Sequence, residues 1–385
     1  HNPKLKEKDN RSFNKTRKKQ DTKDRKTGKI SKIMNKAPTM NFSRRICHKQ
    51  LPLRKPYFFL RSLFHHPFST LKIPNLPFIQ TTLTHSTKPA IINTDNTTHT
   101  YQNLFSNTLS LTKHLKKHVK SPKNPHIALL TNRSHSFITS FNAILLNKST
   151  VVPLCISHPI KEMEYYIQDS QAEVLIYDEE NRQKAEVLLE NLGISGIFLG
   201  DLECPGQVCH DYEIENDQLD HDVGAVMVYT SGTTGRPKGV VHSVGSLMAQ
   251  VDMLLKAWEW SSGDYILHCL PLHHVHGLVN CLLCSYHAGA TCRFVDFGPG
   301  DGMLDEEVWG CGNVFMAVPT VYTKLLRAYR DGGEDVKMRW RDIVRNYRLC
   351  VSGSAALPIT VFEEWKSLTD TPLLERYSQN LPNPQ

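Results

Sequence analysis

From about residue 89 onward the apolar residues of the chain fall into two alternating rhythms. Short unbroken runs (HIALLT, TVVPL, AEVLIYD, GAVMVYT, YILHCLP, TCRFVD, NVFMAVP and RLCVSG) lack the polar alternation of a half-exposed strand. Between them, SHSFITSFNAILLNK, IKEMEYYIQDS, RQKAEVLLENLG, GSLMAQVDMLLKAWEW and PTVYTKLLRAYRDG carry apolar residues at i, i+3, i+4 and i+7. That is the period of a helix with one buried face. Strands buried on both faces and separated by helices predict an α/β fold, a mostly parallel sheet covered by helices. Ligands of such sheets bind beyond the carboxyl ends of the strands, so the loops after these runs are where chemistry is expected.

The first part of the chain follows neither rhythm, and its charge changes the picture. The formal charge is +8, but residues 1–94 hold 22 Lys and Arg against Glu7, Asp9, Asp21 and Asp24, leaving 24 basic and 34 acidic groups for the rest. An acidic body lacks the physical support for phosphate-backbone binding, so no nucleic-acid partner is expected. Residues 1–39 are a Lys-rich polar run that builds no core, read as a disordered basic leader from upstream sequence, with a nucleic-acid arm as the functional alternative. From Met40, Arg44, Arg45, Arg54 and Arg61 are interspersed with aromatics, and no acid occurs until Asp95. This is organelle-import composition, and residues 40–75 are read as a transit peptide, mitochondrial first, with a plastid address or the cytosol as alternatives. Charges and prolines interrupt every apolar run there, so neither a secretory signal nor a membrane span is expected. The 10 cysteines sit mostly within apolar runs, which fits a reducing compartment. Cys281 and Cys284 form a C-x-x-C best read as core packing, with metal or redox chemistry as the alternative.

Directly after GAVMVYT comes SGTTGRPKG. Gly232, Gly235 and Gly239 let backbone N–H groups turn toward one anion, Ser231, Thr233 and Thr234 add hydroxyl donors, and Lys238 brings a compact positive charge. This is a phosphate cradle, although neither the Walker pattern nor a dinucleotide G-x-G-x-x-G threads through it.

TSGTTGRPKG resembles the signature of the adenylate-forming, AMP-binding superfamily. Other segments agree in order: residues 89–115 with the opening strand pair and first helix, residues 154–176 with the segment of the second strand group, PLHHVHGL with the acyl-pocket segment, VSGSAALP with the adenine-contacting stretch, and LLERY with the next motif. Together they look most like organellar malonyl-CoA synthetases; the resemblance covers about residues 89–377, and residues 76–385 are read as a partial N-terminal adenylation domain. The resemblance implies ATP, Mg²⁺ and coenzyme A as cofactors, small-molecule substrates, and a carboxylic acid activated through an acyl adenylate to a thioester. Malonate is the favoured acid; acetate, a medium-chain acid or a hydroxycinnamate is the alternative, as is a non-catalytic nucleotide-binding product.

Carried over residue by residue, the resemblance places Thr230, Ser231, Gly232, Thr233, Thr234, Gly235 and Lys238 on the ATP phosphates. Lys238 and His274 take catalytic roles, and Gly353, Ser354, Ala355 and Tyr377 meet adenine. His274, Arg348 and Ser352 would face the acid. A buried Arg348 argues for a second carboxylate on the substrate; the competing reading caps the sheet edge with it, paired to Asp342 or Glu363. His273, His274 and His276 invite zinc, but without helical metal spacing or a nearby carboxylate no metal ligand is assigned. After Tyr377 the chain departs from the family's G-M-T-E, whose Glu holds Mg²⁺, and the small C-terminal domain is absent. The polypeptide as written is therefore expected to be truncated and inactive.

Overall fold

The computed structural model describes residues 70–202, 212–218, 220–230, 235–297 and 301–376. The leader 1–39 and the transit-peptide segment up to residue 69 lie outside the described residues. Each of the eight apolar runs contains a strand and each of the five periodic segments a helix. The strands divide between two large sheets.

The first sheet runs Lys238–Ser243, Gly224–Thr230, Thr150–Pro153, His126–Leu130, Val174–Tyr177, Ser195–Phe198. Only its edge pair, Lys238–Ser243 with Gly224–Thr230, is antiparallel. The second runs Leu374–Arg376, Leu349–Gly353, Val314–Ala317, Tyr265–His268, Thr291–Phe294, Pro89–Ile92, Thr98–Thr100, parallel except for its last pair. The α/β expectation holds, with two sheets where the runs alone gave no division.

Burial explains the layers. Ala128, Leu130, Val152 and Leu175 on one face of the first sheet pack against Met163, Ile167 and Leu188 of the helices Ile160–Asp169 and Arg182–Leu192. The second sheet covers one face with an aromatic cluster in which Trp309, Trp340 and Trp365 are wholly buried. Cys281 and Cys284 lie in the largest apolar cluster, and burial pushes both thiols up. No helix among the described residues is long and apolar enough to cross a membrane.

One boundary needs correction. Leu71–Asn75 is a strand parallel to Tyr212–Gln218, and its Leu71 and Ile73 are buried. The last five residues assigned to the transit peptide thus belong to the fold, because alternate residues of LKIPN find core contacts.

Candidate active site

The phosphate motif sits on a hairpin. Gly224–Thr230 is a buried strand, and the chain returns antiparallel as Lys238–Ser243 with Thr230 opposite Lys238. Ser231, Gly232, Thr233 and Thr234 lie outside the described residues. Gly235 has φ +144°, a conformation only glycine adopts without strain, and Lys238 is exposed.

Both ends of this hairpin loop meet one helix. Ile160–Asp169 buries Met163, Tyr166 and Ile167 at helical spacing, which leaves Glu162, Tyr165 and Asp169 on its flank. The Tyr165 hydroxyl donates to the Pro237 carbonyl at 2.7 Å. The Tyr229 hydroxyl donates to Asp169 Oδ2 at 2.7 Å, and its ring lies 4.3 Å from that of Tyr166. Tyr166 in turn donates to Glu162 Oε1 at 2.5 Å. Burial pushes the hydroxyls of Tyr166 and Tyr229 up, so both stay protonated donors at neutral pH.

The histidine segment follows the strand Tyr265–His268. His268 is wholly buried and fixed in one tautomer: Nδ1 accepts from the Leu270 N–H at 3.2 Å, so Nε2 donates to the Gly277 carbonyl at 2.8 Å. A side chain at Gly277 would collide with the Pro271 carbonyl, so this turn requires glycine. His276 then opens a π-helix, His276–Leu283, a form that recurs at functional sites. His158, which immediately precedes Pro159 and the helix, brings its ring to 5.9 Å from His273, whose ring lies tilted 4.1 Å from that of His274.

His274 is exposed, whereas the buried His276 has Nδ1 at 3.3 Å from Ser354 Oγ. Gly353 ends the strand Leu349–Gly353 with no room for a side chain: a Cβ there would lie 2.7 Å from His276 Cε1 and 2.8 Å from the Arg376 carbonyl. Ser354 follows at φ +66°, and Ser354 and Ala355 are exposed beyond the strand end. The structure therefore brings Ser352, Gly353, Ser354, His276 and Arg376 together. Arg376 Nε and Ser352 Oγ are buried without hydrogen-bond partners among the described residues. Tyr377 lies outside the described residues.

Arg348 is not among these residues, which corrects its assignment to the acid. Asp264, Asn313 and Arg348 each immediately precede one of three adjacent strands, at their amino ends. Arg348 forms a bidentate pair with Asp264, Nε to Oδ1 and Nη2 to Oδ2 at 2.6 Å each, and Nη1 donates to the Trp258 carbonyl at 2.8 Å. Burial alone would raise the Asp264 carboxyl, but Arg348 and the Ser261 N–H outweigh it and hold it below the usual range. Ser352 lies four residues on, about 13 Å away at ~3.3 Å per strand residue. Pairing with Asp342 or Glu363 is not seen either; the partner lies 84 residues upstream.

Burial holds the histidines neutral. It pushes His268 down to about 3 and His273 to about 4, and burial followed by the Arg376 charge pushes His276 to about 4. The unfolded chain binds these protons below its ordinary value of about 6.5 and the native chain does not, so stability rises with pH through that window and is lost as pH falls from about 6.5 toward 3. Urea midpoints should decline across this range. His268→Gln, which keeps a donor but cannot titrate, should flatten the slope by up to about 1.4 kcal/mol per pH unit. An unaltered slope would mean that His268 titrates alike in both states.

Among the described residues no group of three or more His, Cys, Asp or Glu could hold a metal ion. The AMP-binding enzyme family matches residues 79–380. A mitochondrial malonate–CoA ligase, ACSF3, of Xenopus laevis is 37% identical over 295 residues, covering 72% of this chain and 50% of that protein. A malonate–CoA ligase of Arabidopsis thaliana is 34% identical over 275 residues, covering 67% and 45%. The chain thus spans about half the length of the curated relatives it matches. Among solved structures, ATP-bound MatB from Rhodopseudomonas palustris superposes with a TM-score of 0.67 at 24% identity, over 79% of this chain and 59% of that one. A malonyl-CoA ligase with methylmalonyl-CoA and AMP bound gives 0.62 at 24%, over 76% and 58%. These two likenesses establish the shared fold.

Proposed function

Because the chain belongs to the AMP-binding enzyme family, we propose that it supplies the ATP- and acid-binding lobe of an acid–thiol ligase that activates malonate. The observation that carries this reading is the hairpin that sets Lys238 opposite Thr230 at the carboxyl end of a buried strand. In the reaction, a carboxylate oxygen attacks the α-phosphorus of ATP, giving an acyl adenylate and pyrophosphate. The coenzyme A thiol then attacks the acyl carbon, loses its proton and releases AMP. Such chemistry needs charge neutralisation and positioning more than covalent help.

Lys238, the hydroxyls of Thr230, Ser231, Thr233 and Thr234, and the backbone of Gly232 and Gly235 hold the β- and γ-phosphates. Gly353, Ser354 and Ala355 offer backbone to adenine, on which Tyr377 stacks. His274, the family's pocket histidine, sits on the exposed side of its segment, while the buried His276 and Ser352 adjoin the acid. ATP is taken with Mg²⁺, and coenzyme A is the acceptor. The Arg-rich, acid-free residues from Met40 and the mitochondrial relatives support import into mitochondria; a fluorescent reporter fused to residues 40–75 that stays cytosolic would overturn it.

Malonate brings a second carboxylate that needs a cation. With Arg348 engaged at the opposite end of the strands, Arg376 takes this role, its Nε buried and unpartnered among the described residues and its charge felt by His276. In an enzyme carried to the full length of its relatives, ATP–pyrophosphate exchange should depend on malonate. Arg376→Ala should cut the malonate rate at least about tenfold while sparing acetate and butyrate, whose apolar ends need no cation. Equal loss on all acids would remove Arg376 from the acid site, and a preference for hydroxycinnamate would overturn malonate.

A further inference from the structure

We propose that the helix Ile160–Asp169 is the positioning element of the phosphate hairpin, with Tyr165 and Asp169 as positioning residues that fix its two ends. The proposal rests on the phosphate-binding reading of that hairpin. A loop that cradles phosphates works only if its donors are held where the charge lies, because electrostatic stabilisation depends on donors that need not reorganise. The outer strand of the hairpin, Lys238–Ser243, is an edge strand, hydrogen-bonded to one neighbour among the described residues. Sheet pairing alone therefore leaves the return arm held from one side.

The helix supplies the second side. On the outgoing arm, Asp169 Oδ2 accepts from Tyr229, one residue before Thr230, and the Tyr166 carbonyl accepts from the same hydroxyl at 3.2 Å. On the return arm, Tyr165 donates to the carbonyl of Pro237, one residue before Lys238. The Arg236 guanidinium also sits 5.5 Å above the Tyr165 ring, within cation–π range. Thr230 and Lys238 face each other in the ladder, so the two tethers lie on opposite sides of one rung, Tyr229 one residue into the ladder and Pro237 one residue toward the loop. The rest of the helix is anchored independently, by Met163, Tyr166 and Ile167 in the core. Its leading end reaches the histidine segment through His158 and His273, so one rigid element references the hairpin to the acid side of the site.

A tether of this kind acts on the β- and γ-phosphates and not on the base or the α-phosphate, which separates it from a general structural role. The test measures equilibrium binding of ATP, inorganic pyrophosphate and AMP to the 385-residue chain by calorimetry, for the unaltered protein, Tyr165→Phe, Tyr229→Phe and the double variant. Each Phe removes one hydroxyl and keeps the ring, so the fold should persist, as melting curves would register. Each single variant should weaken ATP and pyrophosphate about 3- to 10-fold, the worth of one lost hydrogen bond, and leave AMP within about twofold. The double variant should weaken ATP at least as much as the stronger single one but depart from their product, because the two tyrosines share Asp169 and their rings lie 6.4 Å apart. ATP and AMP weakening alike, or ATP unaffected in both single variants, overturns the proposal while the hairpin keeps its phosphate role. An unaltered chain that binds AMP but neither ATP nor pyrophosphate overturns the phosphate reading and the proposal together.

Discussion

Replacing Lys238 with alanine should lower ATP–pyrophosphate exchange by roughly 10- to 1000-fold in an enzyme carried to the full length of its relatives, the range for one preorganised charge on a transferring phosphoryl group. Stability should hardly respond. Lys238 is exposed at the first position of an edge strand and contributes nothing to the apolar clusters, and surface substitutions of that kind stay within about 0.5 kcal/mol. The contrast is the diagnostic: a large rate loss at constant melting temperature means that the charge acts on substrate. AMP affinity should also hold, since AMP carries neither phosphate that the lysine meets. Exchange unaffected by Lys238→Ala would overturn the assignment of the hairpin.

The strands were legible because buried parallel strands need apolar residues on both faces, and a run such as GAVMVYT with five wholly buried positions is hard to mistake. The return strand was not read, for the opposite reason: KGVVHS lies on an edge with no fully buried residue, so no pattern marks it. The helix Glu334–Val344 escaped for a similar cause, burying only Trp340 and Val344 among charged residues. Division into two sheets depends on which strand neighbours which, and that information lies between segments. Composition does not carry it.

At the site, the motif located the hairpin and the Gly353 shelf, while the histidine facing the shelf was decided by backbone geometry. The resemblance chose His274, yet it is His276 that turns inward, because Gly277 packs under the Pro271 carbonyl and the helix opens in the π form. Ordinary helical spacing does not anticipate that turn. The tyrosines of YYIQDS read as helix core; only Tyr166 is, and Tyr165 serves the hairpin from the flank. Arg376 stands one residue before the Tyr377 that the resemblance places on adenine, and nothing in the sequence marks it as facing the acid.

The widest gap between sequence and structure, Arg348, gives the second large effect. Arg348→Ala should cost about 3 kcal/mol of unfolding free energy, the low end for removing one partner of a buried pair, since the Arg348 side chain is one-third exposed. The cost arises at Asp264, 3% exposed, which would keep its bonds from Ser261 and Asn313 but lose its countercharge. Its carboxyl would then rise, because burial is the largest influence on it and Arg348 the leading opponent. The native carboxyl is depressed, so its contribution is complete above the unfolded value of about 3.9 and is lost as pH falls below it; in Arg348→Ala, where the native carboxyl rises toward or past that value, this acid loss should shrink or reverse. Adding Asp264→Asn to Arg348→Ala should recover part of the stability, because the orphaned charge is gone; the recovery stays partial, since one amide oxygen can accept from Ser261 or from Asn313 but not from both. The ratio of malonate to acetate rates should stay constant throughout, which cancels any general loss of folded enzyme. A collapse of that ratio with stability intact would return Arg348 to the substrate and overturn the ion-pair assignment.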